Sequence, residues 1–221
     1  MSAFTPAIRP ILAAIMFGPA ILVVTQTTQA WALELTFQTH AAFFSAESKQ
    51  PQVLDPHAFV ADATAPAATG PQGIKHVAGI RPAFVDRDAA SVPVVTADNV
   101  PLGFTLGEWL GAAGSVTIDG NNPVRLSATF RGLKPQGHYS LFENHFDQKP
   151  VGFTPTDGTG TTNNFIAKAD GTATITMTLP HMPTHDNAVL LVYHSDQTDH
   201  AAERGAIGVS AHHQIIVRIP E

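Results

Sequence analysis

The chain contains no cysteine among its 221 residues. It therefore has no disulfide scaffold, and its stability must come from a packed core. The absence of cysteine also excludes a blue-copper centre, because that centre requires a thiolate ligand. A lipid anchor built on a cysteine thiol is excluded for the same reason.

Positive charge is scarce as well. Lysine and arginine total 12 against 18 aspartates and glutamates, which gives a formal net charge of −6. No basic stripe is present to displace counterions from phosphates, so the sequence predicts no nucleic-acid partner. It also lacks the polybasic cluster that attracts a protein to an anionic membrane.

Long apolar runs are limited to the N-terminal region. The stretch from Ile11 to Val24 has 14 residues, which is short of the ~20 that a membrane-spanning helix needs. Arg9 precedes it, and residues 30–32 form the small-x-small pattern that signal peptidase recognises. We predict a signal peptide over residues 1–32 and a single periplasmic or secreted domain over 33–221, without membrane attachment after cleavage. An uncleaved N-terminal anchor is the alternative.

The rest of the chain is dominated by short alternating segments. Val124 to Arg131 alternates apolar and polar residues, which predicts a half-buried strand. Ala188 to His194 is a nearly continuous apolar run, which predicts a central strand buried on both faces. Strands of this length between Gly/Pro turns favour an all-β fold, an antiparallel sandwich of the Greek-key type.

Two features lie outside this strand pattern. Residues 41–98 are rich in Ala, Pro, Gly and Asp, which predicts a long loop-rich segment with brief strands at most. Thr105 and Glu108 have the spacing of a capping box, so we predict one short helix near 105–113. Trp109 is its expected packing anchor.

Three segments resemble Cu/Zn superoxide dismutases. Residues 130–139, FRGLKPQGHY, are similar to a strand–turn–strand unit of that family. Phe165 to Ile175 resembles its hairpin before a long loop, and Leu190 to Asp196 resembles its strand ending in a copper-ligand histidine. The resemblance covers residues 124–199. It implies a dismutase-like sandwich in which His194 keeps a ligand position.

The same resemblance does not extend to the family's active site. The family places a His-x-His copper pair on the strand after the turn, but residues 139–143 here contain no histidine. The loop that would carry the zinc ligands, residues 147–164, contains none either, and the disulfide cysteines are absent. The resemblance therefore implies a fold rather than superoxide dismutation.

Histidine is concentrated towards the C-terminus, with eight of eleven residues in the last 84. Glu143 and His145 share one face of a predicted strand, His194 ends another, and the pair His212 and His213 begins the last with side chains on opposite faces. We expect Glu143, His145, His194 and one of that pair to meet at one end of the sandwich. Such a set suits copper(II) or zinc(II). The alternative is histidines that are solvated or hydrogen-bonded locally.

Further histidines form weaker candidates. A loop with two histidines and a methionine offers a thioether, which favours copper(I). An ordinary loop is the alternative. An acidic loop around His200 offers carboxylates, but a solvated loop is favoured there. The weaker metal candidates are His138, His181, Met182 and His185.

Three functions therefore stay open. The first, which we favour, is an exported, non-catalytic copper or zinc binder. The second is a cell-envelope interaction or structural module without a metal, with residues 41–98 as its interaction surface. The third is a metal-dependent redox enzyme built on the same His/Glu cluster. No motif for a catalytic nucleophile or a phosphate-binding loop occurs, so the sequence leans away from an enzyme.

Overall fold

The computed structural model describes Met1 and residues 32–221. The predicted signal peptide therefore lies outside the described residues, apart from Met1 and Ala32. Within the part of the chain that is described, no helix has the length and apolar character needed to cross a membrane.

Residues 32–221 form sixteen strands, two α-helices and one 3-10 turn at Pro71–Gly73. The helices are α1 (His40–Glu47) and α2 (Leu106–Leu110). The first eight strands are β1 (Ala32–Thr36), β2 (Gln38–Thr39), β3 (Leu54–Ala61), β4 (Ala68–Thr69), β5 (Lys75–His76), β6 (Ile80–Phe84), β7 (Pro93–Val95) and β8 (Pro101–Thr105). The last eight are β9 (Ala113–Asp119), β10 (Arg125–Arg131), β11 (His138–His145), β12 (Gly152–Pro155), β13 (Asn164–Ile166), β14 (Ala173–Thr178), β15 (Asn187–His194) and β16 (Ala211–Arg218).

Two antiparallel sheets pack face to face. The first has the strand order β1-β9-β10-β14, and the second has the order β12-β11-β15-β16-β2, with β13 also paired to β11. Alternation on β10 buries Leu126 and Phe130, which pack with Leu141, Leu191 and Ile215 from the second sheet. The predicted all-β antiparallel sandwich is confirmed.

Strand β15 lies in the middle of the second sheet and is buried along its whole length. Its residues Val189 and Leu191 face the sandwich core. Leu190 and Val192 face the other side, where they pack with Phe43 of α1. The second sheet is therefore covered on both faces, which explains the continuous apolar run that predicts a central strand.

Residues 41–98 carry more regular structure than their composition predicts. They contain most of α1 and three strands of a third sheet, whose order is β6-β3-β7-β8. The prolines that weaken the strand signal lie within these elements, with Pro82 inside β6 and Pro93 at the start of β7. The third sheet contributes Val60 and Phe104 to the main core.

The predicted short helix is present as α2, and its capping box is formed. Thr105 Oγ1 accepts from the Glu108 backbone N–H at 3.3 Å, and Glu108 Oε2 accepts from the Thr105 N–H at 2.7 Å. Trp109 is 1% exposed and packs in the main core. Its predicted role as the packing anchor is confirmed.

Trp109 also makes a polar contact that links α2 to the third sheet. Its indole Nε1–H donates to Asp55 Oδ2 at 2.7 Å. Asp55 Oδ1 accepts from the backbone N–H groups of His57 at 2.8 Å and Ala58 at 3.1 Å. Burial raises the pKa of Asp55 to about 6, although these hydrogen bonds act in the opposite direction. The carboxyl group thus holds the irregular part of β3 between Asp55 and Phe59.

Replacing Trp109 by Phe should destabilise the protein by about 1–3 kcal/mol, because it leaves a buried carboxylate oxygen without its donor. Urea unfolding measures the change. Phe104→Leu, which alters packing without removing a hydrogen bond, is the control. A loss for Trp109→Phe no larger than that for Phe104→Leu would contradict the role assigned to the indole.

Candidate metal centre

Three histidines from distant parts of the chain meet on the outer face of the second sheet. Each offers a ring nitrogen, and these three nitrogens lie within 4.8 Å of one another. His40 is 3% exposed, His57 0% and His213 2%. We call this group the three-histidine centre.

The start of a helix and two strand irregularities bring these side chains together. His40 is the first residue of α1 and follows the N-cap Thr39. His57 lies in the bulged part of β3. His213 lies on β16 where the register shifts, so that Gln214 is the unpaired residue. Bulges bend a strand and redirect its side chains, which is why they recur beside functional sites.

The three rings are in direct contact. His57 and His213 stack at a centroid distance of 4.0 Å, and His40 meets both edge-on at 5.1 and 4.9 Å. His213 Nδ1 lies 3.4 Å from His40 Nε2. His40 Nδ1, His57 Nδ1 and His213 Nε2 are buried and have no hydrogen-bond partner within the described residues. Each ring therefore retains a nitrogen that no group in Met1 or residues 32–221 satisfies.

The orientation of His57 is fixed by Gln72. His57 Nε2 lies 2.7 Å from Gln72 Oε1, and because an amide oxygen only accepts, Nε2 carries the proton. The lone pair is then on Nδ1. Gln72 has a φ of 57°, a left-handed conformation that is uncommon for a residue with a side chain. A histidine that binds a metal usually donates its other N–H to an oxygen acceptor in this way.

All three imidazoles are neutral near pH 7. Burial lowers the pKa of His40 to about 3, with the nearby Arg204 guanidinium as a further cause. Burial, together with the neighbouring imidazoles, holds the pKa values of His57 and His213 well below the usual value. The neutral form is the one that binds a metal ion, so no proton has to be displaced at neutral pH.

Arg204 is itself partly buried close to the centre. Its guanidinium lies 3.6 Å from the centroid of the Phe153 ring, and Phe153 in turn contacts His213 at 5.6 Å. Burial lowers the pKa of Arg204 to about 10, so the group still carries its charge at neutral pH. The surroundings of the centre are therefore electropositive.

A cavity of about 370 Å³ adjoins the three-histidine centre. Its wall is mainly apolar. The residues that line it are His40, Phe43, Phe44, Glu47, Ser48, Gln72, Asn144, Phe146, Val151, Phe153 and His213.

The expected cluster of Glu143, His145, His194 and His212 or His213 is not brought together. Strands β11 and β15 are antiparallel, with His145 opposite Asn187 and His138 opposite His194. Glu143 and His145 therefore lie near one end of the sheet and His194 at the other, about seven strand residues or roughly 23 Å away. The expectation that both strands end at the same edge is wrong for antiparallel neighbours.

The separated residues have local partners. Glu143 Oε1 pairs with His181 Nε2 at 3.1 Å. Asn187 Nδ2 donates to His145 Nδ1 at 3.1 Å, and His145 Nε2 contacts the Thr154 hydroxyl at 2.8 Å. Both ring nitrogens of His145 are thus occupied.

His212 and His213 point to opposite faces of β16, as predicted. His212 Nδ1 donates to the backbone oxygen of His57 at 3.0 Å, and its Nε2 lies 3.1 Å from Ser195 Oγ. Only His213 belongs to the three-histidine centre. His212 instead fastens β16 to the bulge of β3.

The loop with two histidines and a methionine does not form a group of three ligands. His181 pairs with Glu143, and His185 Nε2 lies 3.4 Å from Asp186 Oδ1. Met182 packs against the apolar core of the sandwich.

A second, smaller group lies at the end of β15. His194, Asp196 and His200 offer atoms within 4.8 Å of one another. His194 Nε2 contacts the Ser140 hydroxyl at 2.6 Å, and His200 Nε2 pairs with Asp196 Oδ2 at 2.9 Å. The nearby His138 pairs with Asp199 at 3.0 Å. His194 Nδ1 is buried and has no partner within the described residues, as in the three-histidine centre. The two groups differ in burial, because Asp196 is exposed and His200 is half-buried, whereas all three residues of the three-histidine centre are buried.

Sequence reasoning missed His40 and His57. Neither forms a motif with His213, from which they are separated by more than 150 residues. The available signals are indirect: Thr39 is a good N-cap in front of His40, and Pro56 interrupts the strand just before His57. Only the packing of α1 and β3 against β16 brings the three together.

Acid should unfold the metal-free protein. Burial holds the pKa values of five histidines below 6.5, namely His40, His57, His194, His212 and His213. Their stabilising contribution is complete above pH 6.5 and is lost as the pH falls, because only the unfolded chain gains the protons. Each histidine costs up to about 1.4 kcal/mol per pH unit.

The buried Asp55 acts in the opposite direction between pH 3.8, the ordinary pKa of an aspartate, and its raised pKa of about 6, because the folded state binds the extra proton in this range. With both contributions, unfolding at pH 5.5 should take up about four protons per molecule. Calorimetry in buffers of different ionisation enthalpy measures this number. Proton uptake below one, or a melting temperature that is unchanged between pH 7 and 5, would contradict the burial of these rings in their neutral form.

Comparisons of the chain with protein-family models, with curated proteins and with solved structures find no significant match in any of the three.

Proposed function

We propose that this protein binds one copper(II) or zinc(II) ion through His40, His57 and His213. The observation that carries the proposal is the convergence of three buried imidazoles, each with a ring nitrogen that no described residue satisfies. One nitrogen of each ring lies within 4.8 Å of the other two, close enough for a single ion to bind all three, and His213 Nδ1 and His40 Nε2 face each other at 3.4 Å. Buried polar atoms are nearly always partnered, so rings that each keep an unpartnered nitrogen are incompletely satisfied by the described residues.

The donor set decides the class of metal. Imidazole nitrogen suits zinc and copper, whereas calcium and magnesium require oxygen ligands. The chain has no thiolate to offer. Three protein ligands also leave one coordination position open, which is the ligand number of exchangeable rather than purely structural zinc sites. His40 and His213 line the adjoining cavity, which brings small molecules within reach of the centre.

Two further parts of this proposal rest on the sequence. Export to the periplasm or the outside of the cell follows from the pattern of residues 1–32. A dismutase-like relationship follows from residues 124–199. All three proposed ligands lie outside that second segment, so the proposed site does not depend on the resemblance and differs from the copper site that it implies.

Metal analysis of protein purified without an affinity tag tests the proposal. After exchange with copper(II) or zinc(II), the wild type should retain the ion, and copper should show nitrogen couplings in its electron paramagnetic resonance spectrum. His40→Ala and His213→Ala should lower the affinity by at least about 100-fold, because each removes one of three ligands.

His145→Ala and His138→Ala are the matched controls, and His200→Ala removes the second group. These three variants should keep the tight site. Circular dichroism verifies that each variant is folded. Retention of less than about a tenth of an equivalent by the folded wild type would refute metal binding, and unchanged affinity in both ligand variants would refute these ligands.

Gln72→Gly should weaken metal binding by about 10–100-fold, because it removes the acceptor that orients His57. Loss of the acceptor for the buried His57 Nε2–H should cost about 1–3 kcal/mol of stability, and relief of the left-handed backbone conformation by glycine should offset part of this cost. Competition with a chromophoric chelator measures the affinity, and thermal unfolding of the metal-free protein provides the control. Equal affinities for the variant and the wild type would show that Gln72 does not position the ring.

A further inference from the structure

The cavity beside the three-histidine centre is much larger than a metal-bound water requires. Its volume is about 370 Å³, whereas one water occupies about 30 Å³ in the liquid. Pockets that bind small organic molecules begin at about 300 Å³. The cavity therefore has room for a small organic molecule.

The walls of the cavity favour an aromatic molecule. Phe43, Phe44, Phe146 and Phe153 line it together with Val151. Phe43 and Phe146 already contact each other at 5.8 Å with a tilt of 41°. Aromatic rings pair best in tilted or offset arrangements of this kind, so another flat ring would find both faces and edges to pack against.

Besides the two histidines, one further polar side chain of the cavity wall has an atom without a partner within the described residues. Asn144 lies on β11, is 4% exposed and lines the cavity. Its Oδ1 atom is buried and has no hydrogen-bond partner within the described residues. An amide oxygen only accepts, so Asn144 Oδ1 calls for an O–H or N–H donor on a molecule in the cavity. Without such an occupant, the buried amide carries a free-energy penalty.

The charge around the centre favours an anion. Neutral imidazoles leave a bound divalent ion with its full charge, and Arg204 adds a further positive charge nearby. The one acidic residue of the cavity wall, Glu47, is paired with Arg218 at 3.3 Å. An anionic oxygen at the open coordination position would therefore be stabilised.

We propose that this cavity binds a small aromatic molecule that carries an anionic oxygen and a separate hydroxyl group, such as a hydroxybenzoate. The anionic oxygen takes the open position on the metal ion, the ring packs among the phenylalanines, and the hydroxyl group donates to Asn144 Oδ1. The contact with the metal rests on the proposed function above, whereas the contacts of the ring do not.

Calorimetric titration with benzoate tests this inference. Acetate lacks the ring and benzyl alcohol lacks the charge, so these two probes separate the two contributions. Zinc-loaded protein should bind benzoate at least about tenfold more tightly than either, because burial of the ring and the charge contact each contribute. Metal-free protein should still prefer benzoate to acetate, but with a lower affinity than the loaded form.

Val151→Trp fills the cavity from its partly exposed side, since Val151 is 37% exposed. It should abolish benzoate binding and leave zinc binding intact. Val100→Trp, at a 55% exposed position that does not line the cavity, is the matched control and should change neither. Asn144→Leu, which replaces the amide by a side chain of similar size, should weaken the binding of 4-hydroxybenzoate about five- to tenfold and leave the benzoate affinity unchanged, because only the hydroxyl group can donate to the amide oxygen.

The outcomes separate the two proposals. Zinc retention without a preference for benzoate over acetate overturns the inference about the cavity and leaves the metal site standing. Failure to bind zinc overturns the metal site, and the benzoate preference of the metal-free protein then decides on the cavity alone. Equal benzoate affinities of Val151→Trp and the wild type would show that benzoate binds outside the cavity, and this result would overturn the inference.

Discussion

The buried carboxyl group of Asp55 is the contact on which the rest of the site depends. It accepts hydrogen bonds from the Trp109 indole and from two backbone N–H groups in the bulge of β3. Burial alone would disfavour this group, as its raised pKa indicates, and the three donors offset much of that cost. The result is a bulge of defined shape that carries His57. Asp55 does not belong to the three-histidine centre, but it determines where the candidate metal ligand His57 lies.

Strand β16 connects the bulge of β3 to the other side of the three-histidine centre. His212 and His213 are consecutive and face opposite sides of the sheet, so one packs beside Trp109 while the other enters the three-histidine centre. The bond from His212 Nδ1 to the backbone oxygen of His57 ties β16 to the bulge. Each strand therefore fixes the position of the other. The two histidines look equivalent in the sequence, but only His213 keeps a free nitrogen.

The sequence predicts what is local and periodic in this fold. The alternation of Val124 to Arg131, the apolar run of β15 and the capping box of Thr105 correspond to a half-buried strand, a central strand and helix α2. The candidate site could not be predicted in the same way. His57 lies in a segment whose prolines suppress the strand signal, and His40 begins a short helix that no histidine motif marks. Both meet His213 only through long-range packing. The prediction that Glu143, His145 and His194 form a cluster is wrong, because β11 and β15 are antiparallel neighbours and their C-terminal ends lie at opposite edges of the sheet.

The three-histidine centre is costly for the metal-free protein. Its rings are neutral because burial penalises their charged form, and a nitrogen on each ring lacks a hydrogen bond. Each unsatisfied buried polar atom costs about 1–3 kcal/mol. Burying apolar side chains at the same positions would avoid this cost and strengthen the core. The penalty is understandable if an ion binds the converging nitrogens, because its binding free energy then stabilises the folded state. The same reasoning applies to Asn144, whose Oδ1 atom has no partner within the described residues until a hydrogen-bond donor enters the cavity.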